Sequence, residues 1–393
     1  MTDTSTSSPG AHDRVAFDTR RSRPDRLQVP KGQPLISTHP SGDRNPKPRG
    51  RRVLSRRPVL LSATVLAASA LWLSACGGSS ASAGASGRAD ETVRVGVIAG
   101  SPPGVYSAIQ DGFFAQQHIK VKLVTLSGGP ALVAATEGGS IDIAWADMFA
   151  WTSAIEQGFK LTIINPANGV KAGQQVNVIM TKPGSGITSA KDLAGKKIGV
   201  PAQALTTVQI KKWLADQGLD PNGPQYTTVQ DRTTEGGLVA QGTINAAATS
   251  GASVTEWQAQ YGLVVAGTYD SGIPDGAATS GYGALTSYAQ AHQDLIKRFV
   301  TAVRQGVAAF QAATPAAQNK ILVGYGGADV STLEAKYPGA LAKAAAANDG
   351  ELKGPFDLAA ENQWIKIGVR YGALKKPLDL TQYLWPTATA ATP

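Results

Sequence analysis

The sequence predicts an α/β protein of two similar lobes, and three observations carry that prediction. Short apolar segments alternate repeatedly with amphipathic ones. The series breaks at the polar run Lys182-Pro183-Gly184-Ser185-Gly186 and then starts again. Setting aside the first ninety or so residues, whose composition differs, leaves about 300, enough for one large or two medium units of this class.

Residues 1–57 are rich in Ser, Pro, Arg and Asp and lack an apolar run, so they cannot bury enough surface to offset chain entropy. They read as a disordered basic leader. Within 58–76, the segment Val59–Leu73 turns apolar over 15 residues, the length of a signal-peptide core and short of the roughly 20 a membrane-spanning helix needs. Leu73-Ser74-Ala75-Cys76-Gly77 follows and resembles the bacterial lipobox, in which the thiol is acylated and becomes the new N-terminus. Cys76 is the sole cysteine, so no intrachain disulfide is possible, and 77–91 is a Gly/Ser-rich linker. Ser55-Arg56-Arg57-Pro58-Val59-Leu60 reads either as a twin-arginine export signal or as an ordinary positive segment ahead of the apolar core. The expected location is the outer face of the cytoplasmic membrane, lipid-anchored at Cys76.

Charge divides at the same point. Of 37 Lys and Arg and 28 Asp and Glu, 13 and 5 precede Cys76, leaving 24 against 23 and a net charge of +1 beyond it. The basic character belongs to the leader, so the remainder has no basic stripe to neutralise phosphates and nucleic acid is excluded as a partner.

In the first series Thr92–Ile98 reads as a strand, Val105–Gln116 as a helix, Ile119–Leu126 as a strand, Pro130–Glu137 as a helix, Ile141–Ala144 as a strand, Met148–Gln157 as a helix and Leu161–Ile164 as a short strand. This order implies a mostly parallel sheet with right-handed crossovers. The second series repeats it: strands at Lys197–Val200, Thr227–Val229, Ala246–Thr249 and Leu263–Ala266 alternate with helices at Thr206–Gln217, Thr233–Gln241 and Val254–Gln260. After Tyr282 the pattern is helical, over Tyr288–Ala312, Pro315–Tyr325, Val330–Tyr337 and Asp357–Tyr371, before a docked tail at 377–384 and frayed residues after Trp385. The lobes are expected as 92–178 with 283–393, and 179–282.

Two stretches carry a family pattern. The first is Gly112-Phe113-Phe114 with Ile119-Lys120-Val121, then Ser127-Gly128-Gly129 and Gly138-Gly139-Ser140-Ile141-Asp142-Ile143-Ala144; the second, more specific, is Ile187-Thr188-Ser189-Ala190-Lys191-Asp192-Leu193-Ala194-Gly195-Lys196-Lys197-Ile198-Gly199-Val200. With them the chain resembles the nitrate/sulfonate/taurine (aliphatic sulfonate-binding-like) substrate-binding proteins of ABC transporters. The resemblance implies a two-lobed type II periplasmic-binding-protein-like fold with a ligand cleft between the lobes, crossing segments near Gln174–Met180 and Ser280–Thr286, a small-molecule solute, ABC permease subunits as partners and a monomer without cofactor or metal.

Ligands of open parallel sheets collect at the carboxyl ends of strands, where helix N-termini offer free N–H groups. The candidates there are Ser101 after the first strand and Ser127, Gly128 and Gly129 after the second, the glycines permitting close backbone approach or serving only as a tight turn. Asp147 after the third strand matches a family position at the cleft and also suits a helix N-cap, two compatible roles. Thr206 and Thr207 match a Ser-rich run of the sulfonate-binding branch, or cap a helix. Around Ile244-Asn245-Ala246-Ala247 and Ser250-Gly251-Ala252 the chain departs from that branch, lacking its aromatic wall and carboxylate, which puts sulfonate in doubt; Thr249 and Ser250 remain as hydroxyl donors. Tyr106, Tyr282, Trp145, Phe149 and Trp151 could wall an apolar side. Arg232 reads as a solvated arginine at a helix start before it reads as the partner of an anion.

Catalysis is the weaker reading. His118 and His292, the histidines beyond Cys76, stand apart from any metal or triad pattern, and no nucleophile elbow, zinc helix, phosphate loop or dinucleotide fingerprint occurs. Two other readings stay open: a membrane-tethered sensor or scavenger of a precursor such as the thiamine pyrimidine, and an enzyme on the same fold.

Overall fold

The computed structural model describes residues 88–388, apart from 171, 172 and 353. The leader, the signal core, the lipobox with Cys76 and residues 77–87 of the linker lie outside the described residues. So do the last five residues, 389–393.

The chain first lays down β1 (Glu91–Val97), α1 (Pro103–Gln110), α2 (Phe113–Gln116), β2 (Ile119–Thr125), α3 (Gly129–Glu137), β3 (Ile143–Asp147), α4 (Met148–Glu156) and β4 (Leu161–Pro166). It continues with β5 (Asn177–Thr181), β6 (Lys197–Pro201), α5 (Ala204–Asp216), β7 (Gln225–Val229), α6 (Glu235–Gln241), β8 (Ala246–Ser250), α7 (Ala252–Tyr261) and β9 (Val264–Thr268). It then returns through β10 (Ser280–Leu285) to α8 (Thr286–Ala291), α9 (Gln293–Ala312), α10 (Pro315–Gly324), α11 (Ala340–Asn348) and α12 (Leu358–Arg370).

These strands form two five-stranded sheets of matching topology, in the orders β2-β1-β3-β10-β4 and β7-β6-β8-β5-β9. In each sheet four strands run parallel and one, β10 or β5, runs antiparallel between two of them. That strand is the first the chain makes after changing lobes. The crossings therefore lie at residues 167–176 and 269–279, ahead of the expected Gln174–Met180 and Ser280–Thr286, most of which is strand.

Local chemistry accounts for the elements. In β1 the alternation places Val93, Val95 and Val97 wholly inside. The α9 stripe Leu295, Phe299, Val303 and Phe310 is buried against α1. There Gly306 is required by close approach: a Cβ on it would stand 2.1 Å from the Gly104 carbonyl oxygen. Asp357 caps α12 through the N–H groups of Ala359 and Ala360, and Thr314 with Pro315 begins α10.

Four expectations need correction. The helix expected over Val105–Gln116 breaks at Gly112, whose φ of 76° ends one helical turn and starts another. Val330–Tyr337 holds only a 3-10 turn at Ser331–Leu333, while α11 forms at an alanine-rich run where no helix was expected. Tyr282 lies in β10, not on a crossing. The tail does not fray at Trp385: the Trp385 N–H donates to the Ile163 carbonyl (2.8 Å), and the Phe356 N–H donates to the carbonyl of fully buried Ala388 (2.8 Å).

Candidate ligand cleft

The carboxyl ends of both sheets face one cavity of about 270 Å³ between the lobes. One wall comes from the first lobe, with Ser101, Trp145 and Asp147 at the ends of β1 and β3. The other comes from the second, with Gln203 and Thr206 at the start of α5, Ser250 at the end of β8 and Arg232. The crossings supply Asn168 and Tyr269 to its floor, and the strands they lead into supply Asn177, at the start of β5, and Ser280, at the start of β10.

Asp147 is the most constrained of these groups. It is 3% exposed. Its Oδ1 accepts the Ala150 N–H (2.9 Å) and so caps α4, whereas Oδ2 has no hydrogen-bond partner among the described residues. Burial raises its pKa to about 6 even though N–H groups of Ala150 and Phe149 pull it down. Gly129 makes the placement possible, because a Cβ there would lie 2.5 Å from Oδ2.

Asn168 ties the floor together. Its side-chain oxygen accepts from the Trp145 indole N–H (3.0 Å) and the Ser280 hydroxyl (2.9 Å), and its carbonyl accepts the Thr279 N–H (2.6 Å). Asp270 makes a second tie between the crossings, accepting the N–H groups of Val176 (2.8 Å) and Asn177 (3.0 Å). Across the cavity the Gln203 amide donates to the Thr206 hydroxyl (3.3 Å).

Of the residues singled out by sequence, Ser101, Trp145, Asp147, Thr206, Arg232 and Ser250 line this cavity, and the others stand elsewhere. Tyr106 is 1% exposed, stacked on Tyr325 at 4.3 Å, and its hydroxyl donates to the Ile98 carbonyl (2.6 Å), so it shapes the Ser101 loop from behind. Tyr282 is enclosed against Phe299 and donates to Glu351 Oε1 (3.3 Å). Ser127 is exposed outside the cavity, with Gly128 beside it, and Gly129 acts only by making room for Asp147. Thr207 turns to an outer groove bordered by Pro130 and Tyr371. Thr249 is buried, with a hydroxyl that has no partner among the described residues. Alternation along β8 sends it away from Ser250, to the face that α6 and α7 cover. Of the suggested apolar walls, Trp145 alone reaches the cavity; Phe149 packs on Trp364 at 4.9 Å and Trp151 bonds the Gly281 carbonyl (3.0 Å).

Sequence reasoning passed over Asn168, Asn177, Gln203, Tyr269 and Ser280 and set Arg232 aside. The signal for Asn168 was its place just after a strand, the criterion applied to Ser101 and Asp147.

The two sheets with their double crossing and shared cavity define a two-lobed binding-protein fold. Residues 103–317, more than half of the chain, match the family described as NMT1/THI5 like, and the chain belongs to that family. Among curated protein sequences none matches. Among solved structures, the alkanesulfonate-binding protein SsuA from Xanthomonas axonopodis pv. citri, bound to MOPS, is 17% identical with a TM-score of 0.62, over 76% of this chain and 99% of that one. The periplasmic aliphatic sulphonate binding protein SsuA from Escherichia coli is 18% identical with a TM-score of 0.60, over 76% and 98%. The desulfurization enzyme DSZB is also similar in fold, at 15% identity and a TM-score of 0.55, over 75% and 96%.

Proposed function

We propose that this chain is the solute-binding component of an ABC importer, held on the outer face of the cytoplasmic membrane by a lipid on Cys76, and that it captures a small organic anion by closing two lobes over it. The observation that carries this reading is the cavity: strand ends of both lobes meet there, and the crossings form its floor. Its volume suits a compact solute rather than a drug-sized one. Arg232 offers the anion a guanidinium, and Ser101, Thr206 and Ser250 offer hydroxyls. The kinship in fold with two sulfonate-binding proteins supports sulfonates as the first class to test. The chain is taken to act as a monomer, delivering its solute to permease subunits.

The fold is shared with a desulfurization enzyme, so catalysis has to be weighed on the cavity itself. No histidine or cysteine lines it among the described residues, which favours capture over turnover. Thermal-shift screening against alkanesulfonates, MOPS, nitrate, aromatic acids and pyrimidines tests the reading. A true ligand at a hundred times its Kd adds about 2.7 kcal/mol and raises the melting temperature by a few degrees. No shift with any of these classes would count against capture of such solutes.

A further inference from the structure

The two crossings are not the only connection between the lobes. Beyond α10 the chain leaves the first lobe, makes the 3-10 turn Ser331–Leu333 and then α11, and comes back through Gly350 to Leu352. This excursion packs on α7 of the second lobe. Two of its residues, Ala347 and Gly350, stand in the wall of the cavity. The whole excursion lies past residue 317, where the family match ends.

Its attachments are unequal. On the first-lobe side the Asn319 amide donates to Asp329 (2.8 Å) and accepts the Val330 N–H (3.1 Å), while the Gln311 amide donates to the Glu351 carbonyl (2.8 Å). At the first crossing the Gly169 N–H donates to the Gly350 carbonyl (2.8 Å) and the Gln174 amide to the Ala346 carbonyl (3.0 Å). Toward the second lobe the hydrogen bond found among the described residues is that of the Tyr337 hydroxyl to the Gln258 carbonyl (3.2 Å). Beside it, the Ala347 methyl lies 3.9 Å from where a Cβ on Gly251 would stand, and both the 3-10 turn and α11 run against α7.

We infer that residues 329–352 form a strap across the cleft, fixed to the first lobe and the crossing and latched to the second lobe by Tyr337, and that release of this latch controls access to the cavity. Small side chains on α11 interlock little with α7, so the contact can part and re-form without repacking a core. Glu334 keeps the strap folded while it is free, since its carboxylate accepts the N–H groups of Gly339 (2.7 Å) and Leu341 (2.9 Å) from within the strap. The strap's role in solute exchange rests on reading the cavity as the solute site. Its movement does not.

The test needs no ligand. Ala248 lines the cavity and is 1% exposed, so Ala248→Cys places a small thiol where only an opened cleft admits a reagent. The full chain carrying it is treated with a small methanethiosulfonate, and modification at residue 248 is followed by peptide mass spectrometry. Adding Tyr337→Phe, which removes one hydrogen bond, is expected to raise the rate about two- to tenfold, and Tyr337→Ala more than tenfold. Amides of β6 and β8 should keep their hydrogen-exchange protection in both. Rates within twofold of the parent for both variants would overturn the strap, and so would a rise matched by equal loss of protection throughout β6 and β8. Either result leaves the solute-capture reading to stand or fall on the thermal-shift panel.

Discussion

Asp147 shows how one carboxyl group can serve the fold and still face a cavity. Half of it caps α4, and the other oxygen has no partner among the described residues, at a site where burial already opposes its charge. A structural role and a binding role make different demands. Asn caps a helix about as well as Asp, so Asp147→Asn should leave the melting temperature within a degree or two. If the carboxylate faces bound solute, the same change should shift affinity tenfold or more by calorimetry; unchanged affinity would confine Asp147 to capping. Single residues also mark where sequence reading ends. Thr249 and Ser250 are adjacent and chemically alike, yet the pleat points one at the cavity and the other at α6 and α7. Parity of that kind depends on register within the sheet, which sequence spacing alone does not set. Asp147 and Ser101 were legible because their positions at strand ends suffice to place them.

At the scale of elements, most helices and the parallel strands followed from periodicity, and the two antiparallel strands did not. β5 is buried along most of its length, so its apolar run lacks the alternation that marks a half-exposed strand. β10, which the family resemblance pointed to as a crossing, contains glycines where a strand must pack closely: a Cβ on Gly283 would lie 2.8 Å from the Trp151 ring. Helix α11 escaped notice because alanine supplies helix propensity without an apolar stripe. Elements also carry the pH response. Glu361 on α12 accepts the N–H of Ala278 in the second crossing, and burial raises its pKa to about 8. Glu351, between the N-terminus of α1 and Tyr282, rises to about 7 for the same reason. The folded protein thus holds protons that the unfolded chain has released above about pH 4.5. Stability should be highest below that pH for these groups and fall as pH rises towards 8, by up to about 1.4 kcal/mol per pH unit for each. Glu361→Gln keeps an acceptor for Ala278 and removes one titration. Its melting temperature should therefore decline less than that of the parent between pH 5 and pH 8; parallel declines would contradict the assignment.

At the scale of the whole molecule, the two sheets share one topology and the chain passes twice between them; the restarted pattern pointed to two similar lobes, but the polar break at Lys182–Gly186 falls inside the second lobe, between β5 and β6. Such a molecule responds to a solute only if contacts in the cavity favour the closed arrangement by more than closing costs. Location is a separate question, and the segment proposed to govern it lies outside the described residues. If Cys76 holds the lipid, Cys76→Ala should move the protein from the membrane fraction to the medium, and unchanged fractionation would sink the anchor. The central claim is that the solute sits between the lobes, against the ends of β3 and β8. Calorimetric titration of the tightest compound from the panel into the parent and into Ser250→Trp tests it most directly. Filling the cavity should abolish a one-to-one binding isotherm, or weaken it at least a hundredfold, at an unchanged melting temperature. Undiminished affinity in that variant would place the ligand elsewhere and contradict the account.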